Sequence, residues 1–222
     1  MKHSFFTQMG SYFIDIPIEE KISKYSGKLE LILRKGRYLL CTTNAVYSFD
    51  DLYTNFRDSF KQIEFDKYNI KNVLVLGLGL GSIPFLLEKV FKKQYNYTLV
   101  EIDPEVIDLA HKYTLNRLVS PLNVICSDAI DFVNSCTQTF DLIAIDIFID
   151  NLIPSEFESI LFLENIQKLL NSNALLMYNR LSYNDDLEAK TLDFFESKFV
   201  KVFEDGHCLS CSGNKMLLNM FL

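Results

Sequence analysis

The residues with chemistry in them are three glycines and a series of carboxylates in the middle of the chain. The glycines stand in Val73-Leu74-Val75-Leu76-Gly77-Leu78-Gly79-Leu80-Gly81-Ser82, where an apolar run enters a turn. A second apolar run, Leu99-Val100-Glu101-Ile102-Asp103, reaches its acid 20 residues beyond Gly81. Asp128 follows a third run and Asp146 closes a fourth. Glycines at a turn let the backbone come tight against a ligand whose space a side chain would fill. A carboxylate at the tip of the second strand can accept hydrogen bonds from both hydroxyls of a ribose. A carboxylate farther along the same edge can orient a nucleophile or take its proton. Together these residues predict a nucleoside site at the carboxyl edge of a doubly wound α/β sheet.

The spacing narrows the nucleoside. G-x-G-x-G is not the G-x-G-x-x-G of dinucleotide enzymes, and no G-x-x-x-x-G-K-[ST] phosphate cradle is present. A ligand with a ribose and no phosphate fits best, and S-adenosylmethionine is the common one. Gly77, Gly79, Gly81, Glu101 and the adjoining Ile102 are its candidate contacts.

The elements that must position these residues fall into two parts. Residues 1–65 are rich in strand formers, with strands expected at 12–16, 29–33 and 38–42, the last two joined by Arg34-Lys35-Gly36-Arg37 as a hairpin turn. Asp50-Asp51 then opens a helix with Leu52, Phe56, Phe60 and Ile63 on its apolar face. Tyr47, Phe49 and Tyr53 read as a structural aromatic cluster rather than a pocket wall. From residue 66 to 222, strands and helices alternate, which implies a parallel sheet covered on both faces. Strands are expected at 73–76, 97–101, 123–126, 142–145 and 175–179. Helices are expected at 82–92, 104–116, 129–134 and 186–197, and one from a Ser155-x-x-Glu158 capping box to 170. A terminal strand pair is placed around 201–204 and 215–221. Every parallel strand thus ends in a polar residue or glycine, Asn179 included.

Composition sets the outer bounds. With 222 residues, 49% hydrophobic and 23% charged, the chain suits one α/β domain with a small appendage. A net charge of −7 without a basic block argues against broad nucleic-acid contact. No apolar run reaches a membrane span, and the N-terminus does not read as a signal peptide. Five cysteines, an odd number, fit a reducing compartment, so a cytoplasmic location is expected. Cys208 and Cys211 read as two thiols near a strand end, and no metal site is expected from His3, His111 or His207.

From about residue 27 to 181 the chain resembles the spermidine-synthase superfamily of S-adenosylmethionine-type enzymes. The resemblance rests on the glycine turn 77–81, Val100-Glu101-Ile102-Asp103, Ser127-Asp128-Ala129, and Phe140-Asp141-Leu142-Ile143 running into Asp146. It implies a Rossmann-like seven-stranded class I methyltransferase sheet with a reversed last strand and a small N-terminal β module. It also implies that Glu101 holds the ribose, that Asp128 holds the adenine amino group with Ala129 beside it, and that Asp146 lies beside the reacting carbon. Members commonly dimerise, and apolar Leu29, Leu31, Leu33, Tyr38 and Leu40 exceed what a three-stranded module easily covers, so a homodimer is expected.

The departures fall on the acceptor side. Aminopropyltransferases of the family carry an acid where this chain has Leu80, and a glutamine where it has Leu40. Their D-S-S-D-P loop is Asp146-Ile147-Phe148-Ile149-Asp150 here, and their Tyr-x-Glu is Phe49-Asp50-Asp51. A diamine carries two ammonium groups, each needing a partner when taken from water. Methyl transfer to a small-molecule or protein acceptor is therefore expected, with Asp146 and Asp150 as the catalytic acids. Aminopropyl transfer from decarboxylated S-adenosylmethionine and a non-catalytic binding module are the alternatives.

Overall fold

A computed structural model describes residues 4–43, 45–149, 152–211 and 213–221. A short helix α1 (Phe5–Gly10) precedes an antiparallel sheet of β1 (Ile16–Ser23), β2 (Gly27–Arg34), β3 (Arg37–Cys41) and β4 (Val46–Ser48). A 3-10 turn (Asp50–Leu52) and α2 (Thr54–Phe60) lead into the larger sheet. Its strands are β5 (Asn72–Leu76), β6 (Asn96–Glu101), β7 (Leu122–Cys126), β8 (Phe140–Ile145), β9 (Leu170–Leu181), β10 (His207–Cys211) and β11 (Asn214–Leu218). Between them run α3 (Ser82–Phe85), continued as a π turn, α4 (Pro104–Tyr113), α5 (Ala129–Ser135), α6 (Ile160–Leu169), α7 (Asp185–Phe194) and the short α8 (Val200–Val202).

The spatial order of the large sheet is β10-β11-β9-β8-β5-β6-β7. Five strands are parallel, and β11 is antiparallel to both neighbours, which is the reversed strand of a class I methyltransferase sheet. The chain runs outward from β5 through β6 to β7, then returns to the other side at β8. The switch point therefore lies between β5 and β8, where such sheets bind ligands. Apolar runs fit strands buried on both faces: Val73, Val75, Leu142 and Ala144 face one core, and Leu74, Leu76, Ile143 and Ile145 the other.

The small sheet is tied to the large one through α4. Leu29, Leu31, Leu33, Tyr38 and Leu40 pack with Leu80, Val106, Leu109 and Tyr113 in a third buried cluster. The apolar strand surface on which a dimer was expected is thus already covered within one chain. The same seam is polar at its edge. Asp103 caps α4 by accepting from the Glu105 N–H at 3.0 Å, and its other oxygen accepts from the hydroxyls of Ser23 and Ser26 in the small sheet.

Three elements differ from their expected places. The first strand begins at Ile16, not at 12, because pairing with β2 runs from Ile16↔Leu33 to Ser23↔Gly27, leaving Phe13 and Ile14 exposed in a turn. The capping box at Ser155 is a 3-10 turn, since Glu158 is drawn to buried Arg180, and α6 is capped by Ser159, which accepts from the Phe162 N–H at 3.1 Å. Residues 201–204 end a helix, because Phe195, Phe199 and Phe203 recur at helical spacing and pack ring against ring. The partner of the last strand is instead β10, which carries both Cys208 and Cys211 as free thiols. Among the described residues, no helix is long and apolar enough to cross a membrane.

Candidate functional site

At the switch point the glycine turn and the end of β8 touch. The Gly77 N–H donates to Val100 O at 3.0 Å, and the Asp146 N–H donates to Leu76 O at 2.8 Å. Gly77 has φ +89°, and a Cβ there would lie 2.2 Å from the Asp146 carbonyl oxygen, so only glycine lets the two strand ends meet. Gly79 is pressed from the other side, where a Cβ would lie 2.7 Å from Tyr47 O in β4. The small sheet thus forms one wall of a cavity of about 810 Å³ over the carboxyl edge of the large sheet.

One end of the cavity is built by the tips of β6 and β7. Gly77, Gly79, Glu101, Ile102, Asp128 and Ala129 all line it. Glu101 accepts from the N–H groups of Leu78 (3.1 Å), Gly79 (3.4 Å) and Asp103 (3.1 Å). Burial pushes its carboxyl above the usual range, and those backbone donors pull back against that. A carboxylate offers about four lone-pair positions. One is left for a ligand hydroxyl, and exchanging the long Gly79 contact frees a second. Asp128 caps α5 through Oδ1, which accepts from the Ile130 N–H at 2.7 Å. Its Oδ2 has no partner among the described residues, so the cap and a ligand contact use different oxygens.

The other end is built around Asp146. Its Oδ2 accepts from the Tyr53 hydroxyl at 2.8 Å, and its Oδ1 accepts from Asn179 Nδ2 at 2.8 Å. Burial raises its carboxyl to about 6, against the two donors that lower it. Burial, joined by the facing Asp146, pushes the Tyr53 phenol well above its usual range, so it remains a donor. A carboxylate poised near neutrality is suited to accepting a proton.

The cavity places the remaining candidates as follows. Gly81 does not line it; at φ +90° a Cβ there would meet Leu115, and its role is packing. Asp150 lies outside the described residues. Leu40 and Leu80, set against polar residues of the aminopropyltransferases, do not face the cavity, because both are fully buried in the cluster between the small sheet and α4. Asp50 and Asp51 also turn away: Asp50 accepts from Arg117 at 2.9 Å and Asp51 from Arg37 at 2.8 Å. Tyr47, Phe49 and Tyr53, read from the sequence as a structural cluster, all line the cavity. The ring of Tyr53 belongs to the core while its hydroxyl reaches Asp146. Sequence reasoning missed Asn55, Tyr183 and Asn214, which also line the wall. No local pattern marks Tyr183 and Asn214, since β11 and the segment after β9 meet only in the folded sheet.

The charge of the lining is one-sided. Glu101, Asp128, Asp131, Asp146 and Glu156 contribute carboxylates, and no lysine, arginine or histidine among the described residues lines the cavity.

Comparison with known proteins matches the spermine/spermidine synthase domain to residues 61–211. A polyamine aminopropyltransferase of Vibrio vulnificus is 28% identical over 156 residues, covering 68% of this chain and 50% of its own length. An eEF1A lysine and N-terminal methyltransferase homolog of Drosophila melanogaster is 28% identical over 141 residues, 60% of this chain and 21% of its own. The chain therefore spans half or less of these curated relatives. Spermidine synthase from Thermotoga maritima superposes with a TM-score of 0.69 at 14% identity, over 91% of this chain and 72% of that one. Human methyltransferase-like protein 13 in complex with SAH gives 0.55 at 20% identity, over 75% and 76%. At these identities the two structures speak for the fold alone.

Proposed function

The chain belongs to the spermine/spermidine synthase domain family, and from that premise we propose that it is a transferase moving the methyl group of S-adenosylmethionine to an amine acceptor. The observation that carries this reading is a single cavity with Glu101 and Asp128 at one end and Asp146, held by Tyr53 and Asn179, at the other. The free lone pair of Glu101 and Oδ2 of Asp128 suit a ribose hydroxyl and an adenine amino group. Gly77 and Gly79 let the turn close against Asp146 and Tyr47 and so shape the cavity between these two ends.

When bound, the sulfonium donor supplies an activated carbon, and the protein's task is placement and proton removal. The lining selects the acceptor. With carboxylates and no cationic side chain, it favours an ammonium over a carboxylate or phosphate. Asp146 takes one N–H proton from the ammonium, and the freed lone pair then faces the reacting carbon. The acceptor is a small molecule or a protein amine; the eEF1A methyltransferase homolog among the relatives supports the second.

Methyl transfer is supported over aminopropyl transfer by the loss of the diamine pattern from the cavity. Asp50 and Asp51, which stand in that pattern's place, are engaged with Arg117 and Arg37 outside the lining, and Val46, Phe49, Phe148, Ile149 and Leu181 add apolar surface to it. The second ammonium of a diamine therefore lacks the partner that this pattern would supply. One observation favours the aminopropyl reading: no cationic side chain in the lining pairs with the carboxylate of S-adenosylmethionine, a group its decarboxylated form lacks. Calorimetry with both donors, and incubation of putrescine with the decarboxylated one, separates the readings. The expected result is tighter binding of S-adenosylmethionine and no spermidine. Tighter binding of the decarboxylated donor, with spermidine formed at roughly 1 per second or faster, would establish the second reading.

A further inference from the structure

The Asp146 carboxylate is the first link of a chain of side-chain amides that the proposed reaction does not itself require. Asn179 Nδ2 donates to Asp146 Oδ1 at 2.8 Å, and Asn214 Nδ2 donates to Asn179 Oδ1 at 2.9 Å. Asn179 is 1% exposed, so both ends of its amide need partners inside the protein. Register puts the two asparagines on one face of the sheet: Met216 lies opposite Asn179 and Asn214 opposite Leu181. Asn214 opens β11 immediately after a tight turn, whose Gly213 (φ +74°) accepts from the Ser182 N–H at 3.0 Å. The far end of the chain is therefore anchored to the β10–β11 turn and lies on the cavity wall.

We propose that Asn214 is a positioning residue which, by locking the amide of Asn179 with Nδ2 toward Asp146, holds that carboxylate ionised and ready to take the acceptor's proton. An ionised carboxylate only accepts, so Asn179 must turn Nδ2 toward it and Oδ1 away. Asn214 supplies the donor that makes this orientation satisfied in a buried place. Each oxygen of Asp146 keeps a lone pair that neither Tyr53 nor Asn179 uses, and the proton released when the acceptor's N–H bond breaks forms its O–H bond there. Asn179 stays a donor throughout, because turning its oxygen inward would set its NH2 against the Asn214 NH2. A fixed donor favours the ionised carboxylate, so the relay keeps Asp146 ready to accept.

The other ionisable groups of this cavity are Glu101, Asp128, Asp131, Glu156 and the phenols of Tyr25, Tyr47 and Tyr183, with no lysine, arginine or histidine among the described lining residues; the side chains that donate to Asp146 are those of Asn179 and Tyr53. The inference rests on Asp146 as the proton acceptor of the proposed reaction, but its test needs neither donor nor acceptor. Protein labelled with 13C at aspartate carboxyls is titrated without ligand, and Asp146 is assigned as the signal missing from Asp146→Asn. Asn214→Asp keeps the shape and only accepts, so it turns Asn179 around and favours protonated Asp146. Its midpoint should rise by about one unit, a tenfold gain in proton affinity. Asn214→Leu, which adds no charge, should raise it by a smaller amount, and Asn214→Gln should restore it. An unchanged midpoint in Asn214→Leu overturns the proposal, whether or not Asn214→Asp folds, since a rise in Asn214→Asp alone reports only added charge. Failure of methyl transfer in a separate assay would leave these midpoints where they are.

Discussion

Replacing Asp146 with asparagine should stabilise the ligand-free protein increasingly as pH rises from 3.8 to about 6. Asp146 keeps its carboxyl at about 6, against an unperturbed 3.8, because burial opposes its charge. The folded state therefore holds a proton there that the unfolded chain has already released. That contribution to stability is complete below pH 3.8 and is lost as pH rises through 6. Roughly 2 units at about 1.36 kcal/mol each give a ceiling of about 3 kcal/mol. Water entering the cavity mouth lowers this, so about 1–3 kcal/mol is expected. Asparagine keeps the hydrogen bonds: its oxygen accepts from Asn179 and its NH2 donates to the Tyr53 oxygen, while no charge remains to be desolvated. Urea unfolding of both proteins, followed by circular dichroism between pH 4.5 and 8, reads the difference directly. Other shifted groups such as Glu101 are common to both and cancel. The variant's advantage should already be growing at pH 4.5, continue to grow to about pH 6, and level off above that. A difference that stays flat, or one that favours the wild type increasingly as pH rises, would refute the claim that burial dominates at Asp146.

Glu101→Ala should weaken S-adenosylmethionine by about 1.5–3 kcal/mol, roughly 10- to 100-fold, through loss of charge-assisted hydrogen bonds to the ribose. Unchanged calorimetric affinity in the folded variant would remove Glu101 from the site. Gly77→Ala forces a Cβ to within 2.2 Å of the Asp146 carbonyl oxygen at φ +89°, with backbone on both sides. It should cost about 2–4 kcal/mol, and a thermal midpoint equal to the wild type's would show that the two strand ends separate freely.

The end of the cavity built by β6 and β7 was legible because its signals are local. A glycine turn, an acid at a strand tip and an aspartate before a helix each announce themselves within a few residues, and topology then lines them up along one sheet edge. Asp128 shows how compact that information is, since one carboxyl both caps α5 and leaves an oxygen for a ligand. Tyr53 was obscured by its own periodicity. It precedes Phe56 and Phe60, its ring packs in their cluster, and nothing in the spacing reveals that its hydroxyl extends beyond the core. Asn179 and Asn214 stand 35 residues apart and meet through β9–β11 pairing, which no local pattern encodes.

Leu80 marks a different limit. Spacing identified which turn residues are glycine, yet Gly77, Gly79 and Gly81 all have positive φ, and such a backbone redirects the residues between them. Leu78 goes to the core under α3, Leu80 goes to the seam with the small sheet, and neither lines the cavity. A leucine aligned with a family acid therefore gives no direct measure of how this cavity treats the donor's carboxylate. The charge of the lining does. The Glu101 and Asp128 end of the cavity is fixed by the β5–β8 switch, which every sheet of this topology has. The Asp146 end is assembled from β4, the segment before α2, the segment after β8 and the start of β11, so its chemistry is written in contacts between distant segments.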